Sequence, residues 1–428
     1  VVAATNSGRH DVRHPSIHLL AFVAAVVGCD GASPVDAGGG LDAAGMDAGD
    51  VDSGGSDPEA FRREITAGFA NGVILPMLRT FAERASALEA AAAALAADPP
   101  SAAAREAAQA AWRAAMLAWQ ELELAQIGPQ GMGGTECPVV GGMDLRDEIY
   151  SWNVTSTCRV DQETVNDAHE TPEALGTRLV NVRGLDALEY LLFEATGNNT
   201  CSPVSPINAD GTWAALGADA VRSRRARYAA SAATLVAREA VALRDRWEPS
   251  GGGFANDLAT AGTGSSAYRS TQAAFNDLGG AMLYLDVAVR DMKLGGPAGI
   301  AGCMTDPCFE LSEHRYARTS VASILANVRG FERLYLGETP AAVGRGWDDL
   351  LRAVGAEALA DDLTAALAAA VRALEALGTD DLEQAVAEDR AGVMAAYDAV
   401  GLAQRLFKVD VFTVLDIEPS ACRIGDND

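Results

Sequence analysis

Apolar residues recur at helical spacing through most of this chain, and that period restricts the possible folds more than any other feature. In residues 59–97, for example, Phe61, Ile65, Phe69 and Val73 follow one another every four positions. Alanine, the strongest helix former, is abundant, and segments that alternate apolar and polar residues as strands do are missing from the helical region. The sequence therefore predicts an all-α protein.

Proline, glycine and capping residues divide the predicted helices. Pro76 is expected to kink or split the first helix, and Ser101 is placed to cap the second. Thr171, followed by proline in the first turn, predicts one helix that continues to Phe193. Further helices are predicted at residues 213–247, 266–293, 314–336, 346–354, 357–377 and 380–406. Two stretches are predicted to be irregular, residues 128–170 and the tail from residue 407.

The glycine-rich segment near residue 300 divides the helices into two sets. Two helical bundles, residues 59–300 and 301–428, are the architecture that this order favours. Residues 30–58 consist largely of Gly, Ala, Ser and Asp without an apolar period. Such a segment buries too little apolar surface to offset its ordering entropy, so it is interpreted as a flexible acidic linker.

Residues 1–29 are predicted to be a lipoprotein signal peptide. Arg9 and Arg13 precede an apolar run of about a dozen residues, which is too short to span a bilayer. The run ends in Gly28 and Cys29, as in a bacterial lipobox, so Cys29 is the predicted lipidation site. The alternative is an ordinary signal peptide with an incidental cysteine. No other run is predicted to be long and apolar enough to cross a membrane.

Six cysteines remain after Cys29, and an even number in an exported chain predicts three disulfides. They are Cys137, Cys158, Cys201, Cys303, Cys308 and Cys422. Cys303 and Cys308 bracket a short turn and are predicted to pair. The other four allow three pairings, which the sequence leaves open. A cysteine metal site is disfavoured because no C-x-x-C occurs.

The charge of the chain limits its partners. A formal net charge of -26 and the lack of basic stripes disfavour nucleic-acid binding. So acidic a protein can attract cations, although solubility alone also explains the charge. The sequence lacks a Gly-x-Ser-x-Gly motif and a P-loop, which disfavours serine-based hydrolysis and nucleotide use.

Five stretches in consistent order resemble the imelysin-like family, the bacterial family first described from an insulin-cleaving membrane peptidase. They are NGVILPMLRTFAERASALEAA (71–91), AWRAAMLAWQELELAQIGP (111–129), VRGLDALEYLLF (182–193), SEHRYARTSVASILANVRGFERLYLGE (312–338) and the terminal IGDND. The resemblance implies two four-helix-bundle-like halves, here with an irregular disulfide-tied insertion. It also implies export to the periplasm or outer surface, a link to iron uptake and an outer-membrane iron-uptake partner.

Asp186 and Glu189 are the leading candidate metal ligands. The family signature is Gly-x-His-x-x-Glu, in which Gly184 and Glu189 match and Asp186 stands at the His position. Residues three apart share a helix face, so both carboxylates can reach one ion, and Gly184 would allow close backbone approach. Oxygen ligands suit Ca²⁺, Mg²⁺ or Fe³⁺ better than zinc. The alternative is an ordinary structural role, in which Asp186 caps the helix or pairs with Arg183 and Glu189 pairs with Arg178 or Arg183.

Other carboxylates are weaker candidates. Glu123 is a possible third ligand, since the family's second helix also carries a glutamate, although a solvated face explains it as well. Glu121 is expected at the surface. Asp426 and Asp428 of the terminal GDND are the weakest candidates.

The histidines and tryptophans of the helical region are given structural interpretations. His314 is expected to be a surface or capping residue at a helix start, and His169 an exposed loop residue. Trp112 and Trp119, seven residues apart, are expected to pack in the core.

The leading functional hypothesis is binding of a divalent or ferric metal ion, or of a small ligand, at a carboxylate site between the two bundles, linked to iron acquisition. One rival is a metallopeptidase, as the family is catalogued, with Glu189 as ligand or general base. It is disfavoured because Asp186 replaces the signature histidine. The other rival is a non-catalytic interaction module that docks an outer-membrane partner.

Overall fold

The described fold consists of helices joined by turns and loops. The computed structural model describes residues 58–133 and 139–420. The helices up to residue 259 are α1 Pro58–Gly68, α2 Leu75–Ala97, α3 Ala102–Leu122, α4 Leu145–Ile149, α5 Thr157–Asn166, α6 Pro172–Gly176, α7 Gly184–Phe193, α8 Pro206–Ala209, α9 Thr212–Trp247 and α10 Phe254–Ala259. Those that follow are α11 Thr271–Met282, α12 Ser320–Leu336, α13 Trp347–Ala353, α14 Glu357–Glu375, α15 Leu382–Arg405 and α16 Phe412–Leu415.

Wider, π-helical turns extend several of these helices, at Phe69–Ile74, Leu285–Gly295 and Leu406–Val411. No β-strand occurs within residues 58–133 and 139–420, where one isolated bridge joins Thr339 and Ala342. The predicted all-α fold is confirmed.

Two helix groups pack side by side in this fold. In the first group α2 packs against α3 and α9, and α7 packs against α9 and α3. In the second, α12, α14 and α15 pack together with the segment Leu285–Gly295. Contacts between α3 and α12 join the groups, and residues 58–133 and 139–420 belong to one compact unit. The predicted division at residue 300 stays a prediction, but Leu285–Gly295 packs with the second group.

Several local predictions are confirmed. Trp112 and Trp119 are buried in the core. The Ser101 hydroxyl accepts a hydrogen bond from the N–H of Ala104 at 3.2 Å, so it caps α3. The Thr171 hydroxyl caps α6 in the same way.

The first long helix is continuous but changes its winding. The π-helical segment Phe69–Ile74 ends just before Pro76, which sits in the first turn of α2, where its missing N–H costs least. The run Pro58–Ala97 has the length and hydropathy of a membrane span, although the sequence predicts no membrane-crossing run after the signal peptide. However, 61% of its most apolar window is buried in the fold, as in a core helix.

The predicted helix from Thr171 to Phe193 is wrong as one element. The chain leaves the helix after Gly176, makes a 3₁₀ turn at Val180–Val182 and starts α7 at Gly184. Gly184 has φ of +84°, which is incompatible with a helix interior. Because of this break, α6 and α7 are separate helices.

Other predicted boundaries also moved. Residues 128–170 contain two short helices, α4 and α5, and the helix expected from residue 266 begins at Thr271. The helix expected from residue 314 begins only at Ser320. The prediction that the tail from residue 407 is irregular is wrong, because the first part of this tail is helical. Phe407 packs edge-on against Phe331 with ring centroids 5.0 Å apart, so tertiary packing holds it.

Two disulfides lie within the described residues. Cys303–Cys308 is confirmed, and Cys158–Cys201 selects one of the pairings that the sequence left open. The other two candidates, Cys137 and Cys422, lie outside the described residues. So do the signal peptide with Cys29, most of the linker, and Asp426 and Asp428.

His169 is not exposed as predicted. Its imidazole is fully buried and stacks on the Tyr228 ring, with centroids 4.6 Å apart and planes 5° from parallel. Burial lowers the pKa of His169 to about 4, although the Asp167 carboxylate, 3.2 Å from Nε2, opposes that shift.

We predict that His169 makes the fold sensitive to mild acid. The pKa of histidine is near 6.5 in the unfolded chain, whereas the pKa of the buried His169 is about 4. As the pH falls from about 6.5 to about 4, the free energy of unfolding therefore decreases by up to about 3 kcal/mol. His169→Phe keeps the stacked ring without the proton site. Urea unfolding at pH 7 and pH 4.5 should give a smaller stability loss for His169→Phe than for wild type; equal losses would contradict this.

Candidate metal centre

Close packing around Gly184 fixes the start of α7. A Cβ at Gly184 would lie 2.8 Å from Ser151 Oγ and 3.1 Å from the Ile149 carbonyl oxygen. Trp112 Nε1 donates a hydrogen bond of 2.8 Å to the Leu185 carbonyl oxygen, which ties α7 to α3. The backbone therefore approaches closely where the signature glycine stands.

Asp186 and Glu189 both face one cavity, whose volume is about 660 Å³. Glu189 is 2% exposed, and its Oε1 accepts hydrogen bonds of 2.8 Å from the N–H groups of Tyr316 and Ala317. Asp186 is half-buried, and its Oδ1 has no hydrogen-bond partner. The helix thus delivers both carboxylates to the cavity, one anchored and one with a free oxygen.

Neither arginine that the sequence offered as a salt-bridge partner reaches this pair. Arg183 lies 2.6 Å from Glu148, and Arg178 lies 3.7 Å from Glu163. The salt-bridge alternative for Asp186 and Glu189 with these arginines is therefore wrong.

His314 joins the two carboxylates, contrary to its predicted surface position. It is 1% exposed, its ring packs edge-on against Trp112, and its Nδ1 lies 3.4 Å from Glu189 Oε2. One ligand atom from each of Asp186, Glu189 and His314 lies within 4.8 Å of the others. The prediction failed because α12 starts six residues later than expected, which leaves His314 in an inward-folded turn.

Glu313 is a further buried carboxylate that sequence reasoning missed. Its Oε1 accepts a 2.8 Å hydrogen bond from Gln120 Nε2 and lies 2.9 Å from Lys293 Nζ. Its Oε2 has no hydrogen-bond partner, and Glu313 lines the same cavity. The available signal was the acid–imidazole pair Glu313–His314 inside a stretch that resembles the family.

Burial dominates the electrostatics of these groups. It raises the pKa of Asp186 well above its usual value, and the nearby Glu189 charge adds to the rise. Burial raises the pKa of Glu189 to about 8 and also raises that of Glu313. It lowers the pKa of His314 to about 3. Without a cation the carboxyl groups therefore favour their neutral forms, and a bound cation would favour ionisation.

Glu123 belongs to a neighbouring ion network and is not part of the group formed by Asp186, Glu189 and His314. It is 1% exposed, so the solvated-face interpretation is wrong. Its Oε2 lies 2.7 Å from Lys293 Nζ, and its Oε1 accepts a 2.6 Å hydrogen bond from the Tyr284 hydroxyl. Although burial opposes it, Lys293 and Arg146 hold the pKa of Glu123 below its usual value. Its role as a ligand stays a prediction. Glu121 is partly exposed and pairs with Arg333.

Lys293 connects the network to the candidate site. Its Nζ lies 2.7 Å from Gln120 Oε1 on α3 and 2.7 Å from Glu123 Oε2 at the C-terminal end of that helix. It also lies 2.9 Å from Glu313 Oε1. The ammonium is fully buried, and burial lowers the pKa of Lys293 to about 8. One cation thus ties α3 to the Leu285–Gly295 segment and to the turn before α12.

The donor set fits a metal ion. Two carboxylates and one imidazole converge, and Asp186 Oδ1 and His314 Nε2 lack hydrogen-bond partners. Carboxylates suit hard cations, and an imidazole adds affinity for first-row transition metals such as iron or zinc.

Fold and site together define a helical protein with a candidate metal centre beside the junction of two helix groups. The family model described as imelysin matches residues 74–406, and the chain belongs to the imelysin family. No curated protein has a significant sequence match to it.

Two solved structures share the fold. An imelysin-like protein from Psychrobacter arcticum matches with a TM-score of 0.63 and 17% identity, over 86% of this chain and 98% of that chain. An iron-regulated protein A precursor from Parabacteroides distasonis matches with a TM-score of 0.64 and 15% identity, over 85% of this chain and 97% of that chain. At this identity the likeness concerns the fold alone.

We predict that Lys293 is essential for stability and that Lys408, the other lysine of the chain, is not. Lys293→Met removes the buried counter-ion of Glu123 and should cost about 3–5 kcal/mol. Lys408→Met removes a half-exposed pair with Asp286, at 2.9 Å, and should cost at most about 1 kcal/mol. Urea unfolding at pH 7 measures both, and similar losses for the two variants would contradict the structural role given to Lys293.

Proposed function

We propose that this protein binds a metal cation through Asp186, Glu189 and His314 and that it serves iron acquisition. The observation that carries the proposal is the convergence of their ligand atoms within 4.8 Å, with Asp186 Oδ1 lacking a partner. A buried carboxylate oxygen without a partner is costly, and a cation would remove that cost.

The chemistry of the donors favours iron over the alkaline-earth cations. Ca²⁺ and Mg²⁺ prefer sites made of oxygen alone, whereas His314 supplies nitrogen. Iron accepts carboxylate and imidazole together. The two backbone N–H groups on Glu189 Oε1 would hold its other oxygen toward the ion, as outer-shell hydrogen bonds do in metal sites.

Two further observations support a place in the cell envelope and a link to iron. The disulfides Cys158–Cys201 and Cys303–Cys308 suit an oxidising compartment outside the cytoplasm. A structure of the same fold carries the description of an iron-regulated protein. We place the protein at the outer membrane, anchored through lipid on Cys29 and exposed to the periplasm or the outside, where it would serve an iron-uptake partner.

Titration calorimetry tests the metal site. The full chain with Cys29→Ser, which prevents lipidation, should bind iron with micromolar or tighter affinity, and Ca²⁺ and Mg²⁺ more weakly. Asp186→Asn/Glu189→Gln should weaken iron binding more than about 100-fold, since outer-shell changes alone typically cost 10–100-fold. The variant should fold, because it replaces carboxyl groups that already favour the neutral form by neutral side chains of the same shape.

The control is Asp361→Asn/Glu375→Gln, which makes the same two types of substitution at exposed positions of α14, far from the candidate ligands in the chain. It should leave iron binding unchanged. Equal affinity of the wild type and the Asp186→Asn/Glu189→Gln variant would refute the site. In that case docking of an outer-membrane partner becomes the better functional hypothesis.

A metallopeptidase is the second candidate, and His314 is the observation that favours it. A zinc peptidase needs at least one neutral imidazole and an open coordination position, and His314 and the cavity offer both. Insulin digestion by the zinc-loaded full chain, compared with Glu189→Gln, tests this candidate. Cleavage that Glu189→Gln abolishes would establish it, and no cleavage by the wild type would exclude it for this substrate.

A further inference from the structure

The cavity at the candidate metal centre is far larger than an ion requires. Its volume is about 660 Å³, whereas a water molecule takes about 30 Å³. Cavities of roughly 300–1,000 Å³ are typical of small-molecule sites. A cation beside Asp186 and Glu189 would fill only a small part of this space.

One wall of the cavity presents polar groups that have no partner in the described residues. Ser312 and Glu313 line the cavity, and the Ser312 hydroxyl oxygen and Glu313 Oε2 are buried atoms that make no hydrogen bond. Arg315 also lines the cavity, is exposed, and forms no ion pair within the described part of the chain. Arg315 is the one basic residue among the described residues that line the cavity, and its guanidinium is therefore the group that could bind an anionic part of a molecule that enters it.

Other residues that line the cavity suit an organic framework. Trp152, Tyr190 and Tyr316 line the cavity with Val287 and Met292. The rings of Tyr190 and Tyr316 pack edge-on with centroids 5.0 Å apart, which fixes their orientation. Apolar and aromatic walls with a few convergent polar groups are the usual composition of small-molecule sites.

We infer that the cation binds together with a small organic chelator that carries carboxylate or hydroxyl oxygens. This inference rests on the proposed metal site. Asp186, Glu189 and His314 supply three donors, and six-coordinate cations need more. The chelator's oxygens complete the coordination from the cavity side, Arg315 binds a remaining carboxylate, and Ser312 donates a hydrogen bond to it.

Equilibrium dialysis with radiolabelled oxalate, malate and citrate, each tested separately, examines this inference. The full chain with Cys29→Ser is dialysed under nitrogen with Fe²⁺ alone, with each acid alone, and with both. The expected result is one acid that is retained only when Fe²⁺ is present, with one acid and one Fe²⁺ per protein.

Arg315→Gln should weaken retention of that acid about tenfold, as loss of a charge-assisted hydrogen bond does, while binding of Fe²⁺ alone stays unchanged. Arg84→Gln, at an exposed position of α2 outside the cavity lining, is the matched control and should behave as wild type. Ser312→Ala tests the same wall independently and should also weaken retention.

The outcomes separate this inference from the proposed function. If all three acids only compete for Fe²⁺ and none is retained, or if Arg315→Gln and Ser312→Ala both match the control, the inference is overturned and the metal site stands. Retention of an acid without Fe²⁺ also overturns it. If no Fe²⁺ binds with or without the acids, the proposed metal site itself fails.

Discussion

The buried ammonium of Lys293 is the interaction on which the junction of the two helix groups depends. It contacts Gln120 and Glu123 from the first group and Glu313 from the turn before α12. A lysine without exposure is stable only when its charge is paired and its hydrogen bonds are made, and here carboxylate and amide oxygens do both. α12 packs against α3 at this junction, directly after the turn that carries His314.

The acidic groups around the junction divide into a satisfied and an unsatisfied set. Glu123 has Lys293, Arg146 and Tyr284 as partners, and the cations hold its pKa low. Asp186 and Glu313 keep one buried oxygen each without a partner, and their pKa values are raised. At this junction the ion network of Glu123 holds helices together, whereas the unpartnered oxygens of Asp186 and Glu313 would carry charge that a bound cation neutralises. This contrast supports the proposed metal site, because ordinary buried ion pairing would leave no such oxygens.

Local pattern predicted the all-α fold and two of the three clustered residues, because periodicity and three-residue spacing are local properties. Asp186 and Glu189 face one cavity, as their spacing on α7 implied. His314 and Glu313 escaped prediction because a delayed helix start, not composition, turns them inward. The partners of Glu123 were equally out of reach, since Lys293 lies 170 residues away in the chain.

Anomalous diffraction from iron-loaded crystals tests the central claim most directly. Data collected at the iron absorption edge should give a difference peak within about 2.0–2.6 Å of ligand atoms from Asp186, Glu189 and His314. Well-ordered side chains at this site without a peak, or peaks only at surface carboxylates elsewhere, would contradict the account.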